Sequence, residues 1–282
     1  MNKLVLNYFI KSLLNLRCMF YLMFHKKITL FIVLNIKMMT KINFLLLVML
    51  LLMFNACEKD NSAPTIKNES INKIMALGAS RVQGNRPQYE SFRYELWKDL
   101  TENGWIFDFI GTQSDLATYP IFNSSNFDIE HEGRSGWTSG QILNGLQSWL
   151  TETGAPDIVL FSSPGGNDAL QNLPYNQTIL NLKAIITTLQ LLNPDVTIII
   201  EQLAPAKSFL MTSELTTKFN QLKSDIVTIA SEKSTNSSKI IAIDMSTGFT
   251  DSLLADSIHY NVAGAEFIAN RYYIVLKTIL EK

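Results

Sequence analysis

Three short stretches of this 282-residue chain carry side chains that together could bring about attack on a carbonyl group. Gly78-Ala79-Ser80 supplies a hydroxyl, Ser162-Ser163-Pro164-Gly165-Gly166-Asn167-Asp168 an amide beside glycines, and Asp256-Ser257-Ile258-His259 an imidazole three residues from a carboxylate. A serine hydroxyl is a weak nucleophile until a base takes its proton, and histidine suits that task near neutral pH. A carboxylate beside the imidazole fixes its tautomer and stabilises the imidazolium that forms. Asp256 and His259 are close enough in sequence to meet within one turn. Only His25, His131 and His259 exist, and His25 lies in an apolar leader, so few candidates for a base remain. Taken singly, each residue has an ordinary structural reading: Ser80 or Asp256 as a helix cap, Asn167 and Asp168 as turn formers, His259 as a surface residue. Taken together they read as one nucleophilic site.

The elements that must position them follow from the apolar pattern. Short buried runs at Lys73–Leu77, Trp105–Ile110, Asp157–Phe161, Val196–Ile200 and Ile240–Asp244 read as strands. Amphipathic stretches read as helices over Tyr89–Glu102, from an N-cap at Ser139 through Leu150, and over Tyr175–Leu192, Ser213–Ser231 and Val262–Leu280. The stretch from Gly111 to Gly136 reads as irregular. Strand and helix alternating five times predict an α/β domain with a five-stranded parallel sheet covered on both faces. In such a sheet, ligands bind at the carboxyl ends of the strands near the switch in strand order. Ser80, Asn167 and the Asp256–His259 pair all follow strand ends, so the topology brings them to one rim. Beside them, His131 reads as a loop residue, Glu132 and Arg93 as solvated, and Trp137 as either packed or lining a cleft. Arg81 points into the site or out to solvent.

These residues resemble the blocks of the SGNH (GDSL-type) hydrolase family, over Ile74 to about Ile268. Gly78-Ala79-Ser80 is similar to the first block, Glu132-Gly133-Arg134-Ser135-Gly136-Trp137-Thr138 to the second, Gly165-Gly166-Asn167-Asp168 to the third and Asp256–His259 to the fifth. The resemblance implies a three-layer α/β/α, flavodoxin-like, doubly wound fold and a serine esterase. Ser80 would be the nucleophile, His259 the base, Asp256 its orienting acid, and Ser80, Gly136 and Asn167 the oxyanion hole. The stretch Tyr89-Glu90-Ser91-Phe92-Arg93-Tyr94-Glu95-Leu96-Trp97 and the Ser135-Gly136-Trp137-Thr138 run look most like the acetylxylan-esterase branch. That likeness implies an acetylated glycan or another ester as substrate. One departure stands out: Ala79 occupies the family's aspartate position, and its methyl accepts no hydrogen bond. Either Ser80 is held some other way, or the protein binds glycans without cleaving them. A lipid-directed esterase is a third reading.

Composition narrows the rest. With 47% hydrophobic residues, 13 glycines and 8 prolines, the chain is neither collagen-like nor disordered. Residues 1–56 hold seven basic side chains and no acidic one; of the 24 basic and 25 acidic residues, 17 and 25 remain beyond them, a net −8. Nucleic-acid binding would need the opposite sign. Two cysteines, Cys18 and Cys57, make neither a disulfide scaffold nor a zinc site, no cluster has metal-ligand spacing, and no cofactor is expected.

Lys41, the eleven apolar residues Phe44–Phe54 and Ala56-Cys57 have the layout of an export signal. The run is about half of what an isolated helix needs to span the ~30 Å hydrocarbon core. It resembles a bacterial lipoprotein signal ending at an acylated Cys57, against the plainer reading of a cleaved signal with an incidental cysteine. The predicted organisation is an extension and signal at 1–56, a polar tether at 57–70 and the hydrolase domain at 71–282. The protein would be exported and anchored to a bacterial membrane, the outer membrane foremost, facing periplasm or surface. Met38 and Met39 stand just before the complete signal and read as alternative starts to Met1.

Overall fold

Lys73-Ile-Met-Ala-Leu-Gly78 is a buried run too short for a helix, and it forms the central strand β1 of a computed structural model that describes residues 71–281. The chain continues through α1 (Ser80–Gln83), α2 (Phe92–Glu102), β2 (Asp108–Phe109), β3 (Gln113–Ser114), β4 (Glu130–Gly133), α3 (Ser139–Thr153), β5 (Ile158–Phe161) and α4 (Gly166–Leu170). It closes with α5 (Tyr175–Leu192), β6 (Thr197–Gln202), α6 (Ser213–Lys233), β7 (Ile240–Asp244), a 3₁₀ turn at Asp251–Leu253 and α7 (Val262–Leu276).

One edge of β1 pairs in parallel with β5, from Ile74↔Ile158 to Leu77↔Phe161, and β6 and β7 follow in order. The other edge is shared. β2 pairs with its start at Lys73 and Ile74, and β4 with its end at Leu77 and Gly78. The chain therefore leaves β1 to one side and returns on the other, which opens a crevice beyond the carboxyl ends of β1 and β5. The expected α/β fold with its parallel strands is present. The sheet has seven strands rather than five, because β3 and β4 lie within the stretch read as irregular, and β3 runs antiparallel to β4. The Trp105–Ile110 run contributes only two paired residues.

Alternate residues of β1 face opposite layers. Ile74 and Ala76 pack with Phe92, Leu96 and Leu100 of α2 and with Ile268, Tyr272 and Leu276 of α7. Met75 and Leu77 pack with Ile142 and Leu146 of α3, Leu182 and Ile186 of α5, and Leu222 and Ile226 of α6. Helices on both faces explain why the strands read as continuous apolar runs. The helix starts are capped by polar side chains, with Ser91 Oγ accepting from Arg93 N–H at 3.3 Å and Asn261 Oδ1 from Gly264 N–H at 3.0 Å. The cap of α3 is Thr138, one residue before the expected Ser139; its N–H donates to Gln141 Oε1 at 2.9 Å. At the far end of the sheet the Asn72 side chain clasps Glu281, donating to its carbonyl at 2.7 Å and accepting from its N–H at 2.9 Å.

Candidate active site

β1 ends at Gly78, and Ser80 is the first residue of the single turn α1. The turn lies directly on β4: a Cβ at Gly133 would meet Gln83 N at 2.4 Å, so only glycine permits this packing. Ser80 is 7% exposed, and its Oγ lies 2.9 Å from His259 Nε2. His259 Nδ1 lies 2.7 Å from Asp256 Oδ2. Asp256 Oδ1 accepts the backbone N–H groups of Ile258 and His259 at 2.8 and 2.7 Å, which locks the turn that brings acid and imidazole together. Partial burial pushes the Asp256 pKa up, but those N–H groups and the His259 ring outweigh it, and the carboxyl sits below its usual range. Asp256 is therefore a carboxylate throughout the neutral range. Hydroxyl, imidazole and carboxylate in this order can pass a proton from Ser80 to His259 while Asp256 stabilises the resulting cation.

Asn167 sits in α4, and with Ser80 it lines a small open cleft bordered also by Ile142, Leu170 and Phe219. Asn167 Nδ2 donates to the Trp137 carbonyl at 2.8 Å, which leaves the second N–H of the same amide for another acceptor. Trp137 follows Gly136, the third residue of a turn closed by Trp137 N–H to Arg134 O at 3.1 Å. Gly136 has φ 78°, the left-handed value that such a turn assigns to glycine. Asp168 performs no visible chemistry. It is buried and accepts Ser139 N–H at 2.8 Å and Ser139 Oγ–H at 2.5 Å, tying α3 to α4 beside Asn167.

A model of the GDSL-like lipase/acylhydrolase family matches residues 77–267. This chain belongs to that family. Among solved structures, the GDSL-like fold of this chain is similar to a family 3 carbohydrate esterase from Clostridium thermocellum, at 30% identity and TM-score 0.59, covering 74% of this chain and 98% of that one. A carbohydrate esterase family 3 protein from Talaromyces cellulolyticus is 26% identical with TM-score 0.63, covering 73% and 97%. An acetyl esterase mutant with an acetate ion is 27% identical with TM-score 0.63, covering 73% and 97%. No curated protein gives a significant match.

Several neighbours of this GDSL-like site differ from their sequence reading. His131 is a buried strand residue of β4, with its Nδ1 accepting Gly133 N–H at 3.0 Å. Glu132 and Arg93 are fully buried rather than solvated. Glu132 pairs with Arg134 at 2.7 Å and accepts Thr112 N–H at 2.8 Å, while Arg93 pairs with Asp115 at 2.8 Å. Trp137 both packs and lines the cleft, with its ring 5.6 Å from that of Trp149. Arg81 borders the cleft beside Ser80 rather than facing solvent, and its guanidinium is taken up by backbone carbonyls. Tyr89, which carried no signal beyond its place in a family-like stretch, stacks on the His259 ring at 3.9 Å and 13°.

Burial, with Arg93 and Arg134 adding to it, pushes the His131 pKa down to about 2. The ring therefore stays neutral in the fold, whereas an exposed histidine in the unfolded chain takes a proton below about 6.5. Between those values the unfolded state binds the extra proton, so stability falls as the pH drops through this window. His131→Gln keeps an acceptor for Gly133 N–H without the titration. Urea unfolding between pH 7.5 and 5 should lose up to about 1.4 kcal/mol per pH unit more in the wild type than in this variant below about pH 6. Equal slopes in both proteins would mean that His131 is protonated in the fold.

Proposed function

We propose that this chain is a serine esterase that removes acetyl groups from carbohydrate. The observation that carries the reading is the run of contacts from Ser80 Oγ through His259 to Asp256, at 2.9 and 2.7 Å. Ser80 Oγ attacks the ester carbonyl as His259 Nε2 takes its proton. The oxyanion that develops is met by the backbone N–H groups of Ser80 and Gly136 and by the Asn167 amide. His259 returns the proton to the departing sugar oxygen, and water repeats the sequence on the acyl-enzyme to release acetate. Kinship with proteins named carbohydrate esterases and an acetyl esterase supports the substrate class.

The test is hydrolysis of p-nitrophenyl acetate and of acetylated xylan by the purified protein, with Ser80→Ala as control. Glycan binding without turnover would replace this reading with the non-cleaving one that Ala79 suggests. Preference for long acyl esters would point to lipid instead. Asn167→Ala should lower kcat by about 10²–10³-fold with little change in KM, because its donor acts on charge that exists only in the transition state. An unchanged kcat would remove Asn167 from the oxyanion hole.

Export and anchoring through Cys57 belong to the same proposal and rest on the sequence, since that residue lies outside the described ones. Radiolabelled fatty acid should enter the wild type and not Cys57→Ser. Equal labelling of both would end the lipoprotein reading.

A further inference from the structure

Arg81 follows Ser80 directly, yet it is only 6% exposed and points at three backbone carbonyls. Nε and Nη2 donate to the Ile258 carbonyl at 3.0 and 2.8 Å, within the turn that carries Asp256 and His259. Nη1 donates to the Ala204 carbonyl at 2.8 Å and reaches Ser163 Oγ at 3.4 Å, and Nη2 also donates to the Pro205 carbonyl at 2.9 Å. The guanidinium carbon lies over the Tyr260 ring, 4.8 Å from its centroid. Behind Ser163 lies the fully buried Glu201, which accepts Ser163 N–H and the Tyr272 hydroxyl, both at 2.7 Å. Burial pushes the Glu201 pKa up, while hydrogen bonds from Tyr272 and Ser163 and the nearby Arg81 charge pull it down.

Two facts make this arrangement more than packing. First, α1 has four residues, too few to hold Ser80 by its own helical bonds. Second, the residue before the serine is Ala79, which makes no side-chain cap bond. Besides the Ser80 hydroxyl itself, the part of α1 that reaches the His259 turn is the Arg81 fork. Its planar geometry suits several carbonyls at once, which a lysine ammonium on a flexible stem does not match.

We propose that Arg81 is a positioning residue: its guanidinium clamps the Asp256–His259 turn to α1 and so sets the distance between Ser80 Oγ and His259 Nε2. The kinetic part of this inference rests on the esterase reading; the geometric part does not. A displacement of about 1 Å in a reacting pair can cost about 100-fold in rate. The clamp therefore acts on kcat more than on KM.

The test compares wild type, Arg81→Lys and Arg81→Ala in p-nitrophenyl acetate turnover. It also follows the deshielded His259 Nδ1–H proton by ¹H NMR, with circular dichroism to establish folding. In Arg81→Lys, which keeps the charge and most of the stem, kcat should fall by about 100-fold and KM should stay within about threefold. The His259 proton signal should broaden or vanish in both variants. Guanidinium chloride at millimolar concentration should restore turnover to folded Arg81→Ala, and sodium chloride should not. A folded Arg81→Lys with wild-type kcat and an intact His259 signal would overturn the clamp. If the wild type itself fails to hydrolyse the ester, the esterase reading falls, and the His259 signal alone then decides whether Arg81 positions the turn.

Discussion

Replacing His259 by alanine should lower kcat/KM for p-nitrophenyl acetate by on the order of 10⁴–10⁶-fold, and adding Ser80→Ala should lower it little further. The two side chains are 2.9 Å apart and share one proton, so losing either member removes the whole function of the pair. Asp256→Asn tests the orientation term separately. An asparagine can donate to His259 Nδ1 where the carboxylate accepts from it, and it thereby selects the tautomer that cannot take the Ser80 proton; a loss of about 10⁴-fold is expected. Since the Asp256 carboxyl lies below its usual range, its charge persists through the neutral and mildly acidic region. Near-normal hydrolysis by folded His259→Ala would end this assignment, because His131 is buried in β4 with its Nδ1 occupied by Gly133 N–H.

Asp115→Ala should cost about 3–5 kcal/mol of folding stability, the usual result of stripping one partner from a buried ion pair. Arg93 is 0% exposed, and Asp115 Oδ2 lies 2.8 Å from its Nη2. The same guanidinium donates to the Val82 and Gln83 carbonyls at 2.7 and 3.0 Å, the last carbonyls of α1. Burial lowers the Arg93 pKa while the Asp115 charge raises it, so removing the acid leaves a poorly solvated cation under the nucleophile turn. Urea unfolding of Asp115→Ala measures the loss. Glu232→Ala is the control, since the Lys183–Glu232 pair is exposed and worth about 0–1 kcal/mol. The apolar double variant Arg93→Met with Asp115→Leu should recover much of the loss, as buried pairs replaced whole often do. A cost under about 1 kcal/mol for Asp115→Ala would mean that backbone carbonyls alone satisfy Arg93.

The strands β1, β5, β6 and β7 were legible because each is an apolar run bounded by polar or glycine residues, and burial on both faces imposes that pattern. The site was legible for a related reason: in a parallel sheet the residues after strand ends share one rim, whatever their separation in sequence. The strand β4 was not, since Glu130-His131-Glu132-Gly133 carries no apolar alternation. Its Glu132 is buried against Thr112 and Arg134, partners that the strand itself does not announce. Arg93 sits on a helix among other polar residues, and only the tertiary fold sets Asp115 and the α1 carbonyls against it. Arg81 was ambiguous for the same reason, because its acceptors lie 123 and 177 residues away along the chain. The apolar pattern puts Tyr89 at the start of a helix, but the helix begins at Phe92 behind the Ser91 cap, and Tyr89 lies in the extended segment before it, against the His259 ring.

The clasp between Asn72 and Glu281 places the two ends of the described chain side by side, at the end of β1 remote from Ser80. Chain ends so placed are the ones that tolerate relocation. Joined there by a short linker and reopened in the exposed loop at Asn123–Ser124, the same residues would be translated in a new order. Asn167, Asp256 and His259 would come first and Ser80 last, while every strand would keep its neighbours in the sheet. The order in which the hydrolytic residues occur along the chain is thus not what brings them together; the neighbours in the sheet are.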